Sequence, residues 1–372
     1  MRIGVPKEIK NHEYRVGLVP GSVRELTDRG HEVVVETGAG LGAGLSDADY
    51  EAVGAKILPN AEAVFSSAEM IVKVKEPLAV ERARLSKGQV LFTYLHLAPD
   101  PEQTEDLVKS GATCIAYETV TSPIGTLPLL TPMSEVAGRM APQVGAACLE
   151  KERGGRGVLL GGVPGVPAAE VLVLGGGVAG TNATLIAVGM GANVTVVDRN
   201  LEALRRIAAQ FGNAVRTVYS TRDAIEHHAP YADLVIGTVL VPGAAAPKLV
   251  SAEIVRKMKP GAAIVDVAID QGGCFETSRP TSHSEPTYVV DDVVHYCVTN
   301  MPGAVARTST FALNNATLPF ALALADKGWK KALADDAHLR AGLNVHEGKV
   351  THEAVASALG LPFTAPETFL GL

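Results

Sequence analysis

The chain has 372 residues, of which 47% are hydrophobic and 20% are charged, and its formal net charge is −7. This length exceeds one typical core, so we expect two domains, and the composition is that of a folded chain. Because the net charge is negative, nucleic acid and anionic membrane surfaces are disfavoured as partners, and an enzyme acting on a small-molecule metabolite is favoured.

The cysteines are far apart in sequence, form no C-x-x-C pair and have no histidines at zinc-ligand spacing: Cys114, Cys148, Cys274 and Cys297. We therefore expect reduced thiols, no metal site and a cytoplasmic protein. The N-terminus has charged residues and no apolar signal region, which predicts no export. Residues 171–197 carry no charge and are long enough to cross a bilayer, but their glycines and polar residues favour a strand–turn–helix–strand unit.

The N-terminal region alternates short apolar runs with helix-like segments. Strands are predicted at Met1–Val5, His31–Glu36, Met70–Val74, Val90–Leu95 and Thr113–Tyr117. Helices are predicted at Ser22–Arg29, Asp47–Val53 and Pro101–Lys109, the last with Asp100 as its N-cap. This alternation predicts a parallel α/β sheet, so the first domain is Rossmann-like in outline although it lacks a glycine fingerprint.

A proline- and glycine-rich passage, Ser122–Pro132, marks a domain boundary. Ser134–Glu150, which follows it, is predicted to be a long helix leading from one domain to the other. Gly154–Pro167 is a loop-rich run that leads to the most informative stretch of the chain.

That stretch, Val171–Asp198, has the order of a dinucleotide-binding unit. An apolar strand leads into Gly175, Gly177 and Gly180 at G-x-G-x-x-G spacing, and a helix of small residues follows. The glycines allow a tight turn, a close approach of backbone to a pyrophosphate, and close packing of helix on strand. The helix N-terminus offers N–H groups and the positive end of its dipole to the phosphates.

Asp198 ends the second strand of this unit, where a carboxylate accepts hydrogen bonds from the hydroxyls of a ribose. It would also repel a 2′-phosphate, which predicts NAD rather than NADP as the cofactor. Arg199 lies beside it and weakens this discrimination.

Further apolar runs complete a predicted six-stranded cofactor domain: Val215–Tyr219, Leu234–Val239, Ala263–Ile269 and Val293–Val298. After residues 300–303 the chain has helical stretches at Thr308–Ala325 and Lys330–Gly342, and no strand is predicted. The predicted architecture is two Rossmann-like, doubly wound parallel-sheet domains. The cofactor domain (131–304) is inserted in a discontinuous catalytic domain (1–130 and 305–372).

Ligands bind beyond the carboxyl ends of parallel strands, so polar residues at those ends are candidates for chemistry. His96 ends one predicted strand, where an imidazole exchanges protons near neutral pH; a histidine satisfied by backbone is the alternative. Lys73 and Lys75 follow its neighbour and share a face by period-2 alternation, so the pattern does not choose between them. Both are also consistent with surface lysines.

Arg15 follows the first strand by a loop, and its guanidinium suits bidentate binding of a carboxylate, although a surface arginine is the alternative. Asp270 closes the apolar run of the cofactor domain, where the alternative is a helix or turn cap. Together these residues supply two cations for a substrate carboxylate, one base and one acid next to the cofactor.

The sequence resembles the alanine dehydrogenase family over essentially its full length. The resemblance is carried, in order, by MRIGVPKEIKNHEYRVGLVP, IVKVKEP, YLHLA, LPLLTPMSEVAGRM, LGGGVAG and VDVAIDQGG. It implies that Arg15 and Lys75 bind the substrate carboxylate, that His96 is the acid/base, and that Asp270 is the second catalytic residue. It also implies a homohexamer.

By the same resemblance, Ser134 contacts the cofactor from the long helix and Asp198 binds the adenosine ribose. The full set of expected NAD-binding residues is Ser134, Gly175, Gly177, Val178, Ala179, Gly180, Asp198, Ser220, Val239, Leu240, Val267, Ala268, Ile269, Asp270, Val298, Thr299, Asn300 and Met301.

The predicted function is the NAD-dependent, reversible oxidative deamination of L-alanine to pyruvate and ammonia. One alternative is an NAD(H)-binding, transhydrogenase-like subunit, which in that family carries an extra loop after the second strand of the cofactor domain. Here residues 199–212 run directly as a helix. The other alternative is a non-catalytic NAD-sensing module.

Overall fold

The computed structural model describes residues 1–239 and 246–371. Its strands are β1 (Arg2–Val5), β2 (Glu32–Glu36), β3 (Lys56–Leu58), β4 (Met70–Val72), β5 (Val90–Thr93), β6 (Thr113–Ala116), β7 (Glu170–Leu174), β8 (Asn193–Asp198), β9 (Val215–Tyr219), β10 (Leu234–Gly237), β11 (Ala263–Asp266), β12 (Thr287–Val290), β13 (Val293–Tyr296), β14 (Leu343–His346) and β15 (Lys349–Val350). Its helices are α1 (Pro20–Thr27), α2 (Asp47–Glu51), α3 (Ala61–Ser67), α4 (Ala79–Arg82), α5 (Pro101–Ser110), α6 (Thr131–Cys148), α7 (Val178–Gly189), α8 (Leu201–Phe211), α9 (Arg222–His228), α10 (Ala252–Arg256), α11 (Ala306–Asp335), α12 (Ala337–Arg340), α13 (Glu353–Leu359) and α14 (Glu367–Leu370).

The chain forms two compact units, the first from Met1–Met133 with Gly303–Leu372 and the second from Ser134–Pro302. Each unit is built on one mainly parallel sheet whose strands alternate with helices. The predicted α/β class with two Rossmann-like domains is confirmed. Within the described ranges, no helix is long and apolar enough to cross a membrane.

The sheet of the first unit has the strand order β15-β14-β6-β5-β4-β1-β2-β3. β1 to β6 pair in parallel, and their order β3-β2-β1-β4-β5-β6 is that of the doubly wound dinucleotide-binding fold. The chain moves outward from β1 through β2 and β3, then returns to the other side of β1 with β4. β1 and β4 therefore flank the point where the strand order reverses, which is where such sheets bind ligands.

The predicted strands of this unit all form, but each is shorter than expected, by one residue in β1, β2 and β6 and by two residues in β4 and β5. β4 ends at Val72 instead of Val74, and β5 ends at Thr93 instead of Leu95. β3 is an additional short edge strand that the sequence pattern does not predict. Asp100 caps α5 as expected, because its side chain accepts a hydrogen bond from the Gln103 N–H at 3.0 Å.

The prediction that no strand follows residue 303 is wrong. β14 and β15 form an antiparallel hairpin, and β14 pairs with the edge of β6. Leu343 and Val345 are fully buried, and the turn between the strands has positive φ at Glu347 (43°) and Gly348 (79°). Such short strands give little period-2 signal beside alanine- and leucine-rich helices, and β6 supplies the partner that stabilises them.

The sheet of the second unit has the order β12-β13-β11-β10-β7-β8-β9. β7 to β11 and β13 are parallel and repeat the doubly wound order, so the six predicted strands form. The count of six is incomplete, because β12 adds an antiparallel edge strand. Its turn to β13 has positive φ at both Asp291 (49°) and Asp292 (59°), a hairpin geometry in which asparagine and glycine are the usual signals.

The long helices agree with the sequence pattern except at their ends. The predicted helix Ser134–Glu150 forms as α6, from Thr131 to Cys148. The two predicted C-terminal helical stretches lie in α11 and α12, and α11 is interrupted at Gly328, whose φ of 72° and ψ of 154° are not helical.

Candidate active site

In the second unit, the glycine fingerprint forms the turn from β7 to α7. Gly175 has a φ of 104°, a conformation that residues with a Cβ rarely adopt. Gly177 is the N-cap of α7 and makes no side-chain cap, and a Cβ added there would meet no atom within 4 Å. A Cβ on Gly180 would lie 1.8 Å from the carbonyl oxygen of Gly175. The turn therefore leaves free space beside Gly177, at the N-terminus of α7, and has no room for a side chain at Gly180, where the helix packs on the strand.

Asp198 ends β8 and holds the same turn. One carboxylate oxygen accepts a hydrogen bond from the Gly176 N–H at 2.5 Å, and the other accepts one from the Asn200 N–H at 2.7 Å. Asn200 in turn caps α8, which starts directly after it. The side chain that would bind a ribose is therefore fixed at the glycine turn.

The other predicted cofactor residues of this unit also follow strand ends. Ser220 follows β9 and donates its N–H to the Asp198 carbonyl at 2.9 Å. Val239 follows β10, Val267–Asp270 follow β11, and Val298–Met301 follow β13. Because these strands are parallel, all these segments lie at one edge of the sheet. Ser134 lies instead in α6, and Leu240 lies outside the described residues.

Asp270 is not at a strand end, which corrects the prediction for the run Ala263–Ile269. β11 stops at Asp266, and Asp270 lies beyond it as the exposed residue of the 3-10 turn Ile269–Gln271. The strand stops because Asp266 turns its carboxylate to the loop. It accepts hydrogen bonds from the N–H groups of Ala268 (3.2 Å) and Cys274 (2.9 Å) and from the Ser278 hydroxyl (2.5 Å).

Asp266 is thus a functional candidate that the sequence reading missed, because it fixes the loop that carries Asp270. Burial raises the pKa of its carboxyl, and the hydrogen bonds from Ser278 and from the backbone oppose that rise. An aspartate in the middle of an apolar run was the available signal.

In the first unit, Arg15 is buried, so the surface-arginine alternative is wrong. Its side chain is 2% exposed and binds Glu13 through two parallel contacts, Nε to Oε1 at 2.6 Å and Nη2 to Oε2 at 2.5 Å. Nη1 lies 3.0 Å from the sulfur of Met133. Glu13 therefore occupies one edge of the guanidinium and fixes its plane.

The structure separates the two lysines that the pattern left equivalent. Lys73 is fully buried, with its Nζ 2.9 Å from Glu8 and 2.7 Å from Glu81. Burial alone would lower the pKa of Lys73, but the carboxylates of Glu8 and Glu81 raise it by more. The net effect is a raised pKa, so the ammonium stays charged. Lys75 is partly exposed, and its Nζ lies 3.5 Å from Glu76. Lys75 is the lysine that a substrate can reach.

Period-2 alternation fails here because β4 ends before either lysine. Beyond that end, Glu8 accepts hydrogen bonds from the N–H groups of Val74 (2.7 Å) and Lys75 (3.3 Å). The Thr93 hydroxyl donates to the Lys75 carbonyl at 3.0 Å. The backbone at Lys75 is therefore held by Glu8, which follows β1, and by Thr93, which ends β5.

Glu76 is the acidic neighbour of Lys75. Burial raises the pKa of this carboxyl, but Lys75 and a hydrogen bond from Lys10 outweigh burial and lower the pKa to about 2. Glu76 is therefore ionised at neutral pH and partly balances the positive charges of Lys75 and Lys10.

His96 lies beyond β5 and is exposed. Its backbone has a φ of 51°, its N–H donates to Glu118 at 2.6 Å, and its ring stacks on Tyr94 with centroids 5.7 Å apart. Across residues 1–239 and 246–371, its imidazole nitrogens make no hydrogen bond, so the backbone-satisfied alternative is not supported. The ring is available for proton exchange.

Arg15, Lys75 and His96 thus follow β1, β4 and β5, which are neighbours in the parallel sheet. They lie beyond the carboxyl ends of these strands, near the point where the strand order reverses. The acidic side chains that hold them in place, Glu13, Glu8 and Glu118, were missed in the sequence reading.

Comparison with known proteins gives the family. The N-terminal domain model of alanine dehydrogenase/PNT matches residues 4–137, and the C-terminal domain model matches residues 141–353. An alanine dehydrogenase of Halomonas elongata is 62% identical over 371 residues, covering 100% of both chains.

Solved structures agree. An L-alanine dehydrogenase superposes with a TM-score of 0.94 at 55% identity, covering 97% of this chain and 99% of the other. A transhydrogenase from Sinorhizobium meliloti superposes with a TM-score of 0.82 at 27% identity, covering 95% of this chain and 100% of the other. The chain belongs to the alanine dehydrogenase/PNT family.

Proposed function

We propose that this protein catalyses the NAD-dependent, reversible oxidative deamination of L-alanine to pyruvate and ammonia. The observation that carries the proposal is the set of Arg15, Lys75 and the exposed His96 at one edge of the first sheet. Two cations and a titratable ring suit a small amino acid whose carboxylate is bound and whose amine exchanges protons. The full-length relatives named alanine dehydrogenase support the same reaction.

The second unit fits NAD. The open side of Gly177 and the uncapped start of α7 suit a pyrophosphate, and Asp198 suits an adenosine ribose. The residues proposed to line the remainder of the site are those that follow β9, β10, β11 and β13, together with Ser134. When bound, NAD supplies the hydride acceptor.

Arg15 and Lys75 anchor the substrate carboxylate in this proposal. Glu13 binds Nε and Nη2 of Arg15, and the Met133 sulfur lies 3.0 Å from Nη1, so in this proposal the substrate carboxylate binds the guanidinium next to these two side chains. Lys75 is held at its backbone, and its Nζ forms an ion pair with Glu76 at 3.5 Å, so Lys75 adds a second positive charge to the site. Such anchoring orients the Cα–H for transfer and lowers the entropic part of the barrier.

His96 acts as the acid/base. Loss of hydride from Cα leaves an imine, and water adds to its carbon while His96 accepts and returns protons. Asp270 is proposed to hold the water or the amine and to balance the developing positive charge. Collapse of the adduct breaks the C–N bond and gives pyruvate and ammonia.

A transhydrogenase-like subunit is not favoured, because β8 runs directly to α8 through the Asn200 cap and leaves no room in sequence for an added loop. A non-catalytic NAD sensor would bind the cofactor but give no alanine-dependent NADH.

The deciding experiment follows NADH formation from NAD with and without L-alanine. It includes His96→Ala and Asp270→Asn, with the exposed His227→Ala and Asp223→Asn as matched controls. We expect both site variants to lose at least about 100-fold in kcat while remaining folded. The absence of alanine-dependent NADH in the unaltered protein would refute the function, and near-normal turnover in a site variant would refute that residue's role.

We also propose that residues 1–130 with 305–372 form the substrate-binding domain and residues 131–304 the NAD domain, in a cytoplasmic homohexamer. Light scattering coupled to gel filtration measures the mass of the assembly. A monomer or dimer at micromolar concentration would contradict the hexamer.

A further inference from the structure

The peptide group that joins Leu95 to His96 is held from both sides. Its carbonyl oxygen accepts a hydrogen bond from the Gln103 side chain at 2.6 Å, and its N–H donates to Glu118 Oε1 at 2.6 Å. Glu118 also accepts the Leu95 N–H, at 3.2 Å to each carboxylate oxygen. Two side chains thus fix the orientation of one peptide plane.

These two side chains come from different elements that flank β5. Gln103 is 1% exposed and lies in the first turn of α5, which its own N–H joins to the Asp100 cap. Glu118 lies on the 3-10 turn Tyr117–Thr119, directly after β6. A residue of α5 and a residue that follows β6 therefore both contact the chain just after β5, the first buried and the second partly exposed.

The backbone conformation of His96 is one that hydrogen bonds on both sides of the preceding peptide can hold in place. Its φ of 51° is left-handed, which is uncommon for a residue with a Cβ. Such conformations persist where surrounding contacts over-determine them. Rotation of the Leu95–His96 peptide would break the hydrogen bonds to Gln103 and Glu118 together, and it would turn the Cα–Cβ bond of His96 away from its present direction.

We propose that Glu118 and Gln103 are positioning residues for His96, setting the direction of its imidazole through the peptide that precedes it. This proposal rests on the proposed function, in which His96 exchanges protons with the substrate. Glu118 acts in this proposal through the N–H groups of Leu95 and His96, from which its carboxylate oxygens accept hydrogen bonds.

The experiment compares Glu118→Ala and Glu118→Gln, each alone and combined with His96→Ala, in steady-state L-alanine oxidation. Glutamine keeps one acceptor oxygen, so it should restore part of the activity. Glu69→Ala and Glu69→Gln are the matched controls, because Glu69 also accepts a backbone N–H at 2.6 Å, from Arg2, but at the amino ends of β1 and β4. Gln103→Met removes the second contact while keeping side-chain volume.

We expect Glu118→Ala to lower kcat about tenfold or more with little change in the KM for L-alanine, and glutamine to fall between. In the His96→Ala background the same change should cost no more than about twofold, because its effect passes through the missing imidazole. Equal losses in both backgrounds, a change confined to KM, or a loss matched by the Glu69 variants would overturn the proposal.

A second readout does not depend on activity. In a crystal structure of Glu118→Ala, the φ of His96 should leave the left-handed region. If the unaltered protein makes no alanine-dependent NADH, the proposed function fails, but this measurement still decides the positioning role. An unchanged φ in the variant would overturn it.

Discussion

The Nζ of Lys73 lies 2.7 Å from Oε1 of Glu81, and both side chains are almost completely buried. Glu8 forms an ion pair with the same Lys73 ammonium and also accepts a hydrogen bond from the Val74 N–H, next to Lys75. One buried cation is therefore shared by two carboxylates. Removing it would leave both without an ion-pair partner at that position, with only backbone N–H donors to Glu8 and Glu81.

We expect Lys73→Met to destabilise the first unit by about 3–5 kcal/mol, the usual cost of breaking a buried pair from one side. Trp329, the one tryptophan of the chain, lies in α11 of this unit and reports its unfolding in urea. Lys56→Met is the control, because Lys56 pairs with Glu32 at 2.6 Å on the surface and should cost less than about 1 kcal/mol. Equal midpoints for the two variants would contradict the prediction.

The glycine turn predicts two different outcomes from one kind of substitution. Gly180→Ala puts a Cβ where the Gly175 carbonyl lies, so it should lower the melting temperature and abolish NAD binding. Gly177→Ala meets no protein atom, so the fold should be unchanged while NAD affinity falls about tenfold or more, because the Cβ obstructs the pyrophosphate. Calorimetry with and without NAD measures both effects. A stable Gly180→Ala that binds NAD normally would refute this account of the turn.

Asp198 should set the choice of cofactor. Asp198→Ala removes the ribose acceptor and the negative charge, and leaves Arg199 next to the site. We expect kcat/KM to fall for NAD and to rise for NADP, a combined change of preference of at least about 100-fold. Asp223→Ala, an exposed aspartate in α9, is the control. Because Asp198 also holds Gly176, a circular dichroism melt should accompany the kinetics.

Glu76 predicts a specific acid sensitivity. Lys75 and Lys10 hold the pKa of Glu76 at about 2 in the folded chain, below the ordinary value of 4.5 for a glutamate. A carboxyl whose folded pKa is depressed contributes stability above its unfolded pKa and loses it as the pH falls through the folded value. The expected contribution at neutral pH is about 3 kcal/mol, lost progressively below about pH 4.5.

Glu76→Gln should therefore be less stable than the unaltered protein at pH 7, and the difference should shrink toward pH 3. Urea midpoints at several pH values measure this, with the exposed Glu25→Gln as control. A difference that stays constant with pH would show that Glu76 contributes by packing alone.

Much of the second unit follows from its sequence, because each element there carries a local signal. The glycine spacing, the small-residue helix and the strand ending in Asp198 predict the turn that forms. β12 is not predicted, because the turn that joins it to β13 consists of two aspartates, Asp291 and Asp292, in place of the usual asparagine and glycine.

The first unit is harder to read, because its important features depend on distant partners. The choice between Lys73 and Lys75 depends on where β4 ends and on Glu8 and Glu81, which no periodicity reveals. Glu118 and Gln103 matter only because β5 lies beside β6 and α5. Glu8 and Glu81 look like solvated acidic residues in the sequence, and only the fold shows that they are buried.

The C-terminal hairpin has a consequence for synthesis on the ribosome. Residues 134–302 are contiguous in sequence, whereas the sheet of the first unit lacks β14 and β15 until the segment beyond Leu343 has been translated. During that interval β6 presents unpaired N–H and C=O groups along an open edge, which is the kind of surface that recruits strands from other chains. β14 thus covers the free side of β6 only after Leu343 has been synthesised, and a nascent chain that stops before Leu343 would leave β6 open to pairing with strands of other chains.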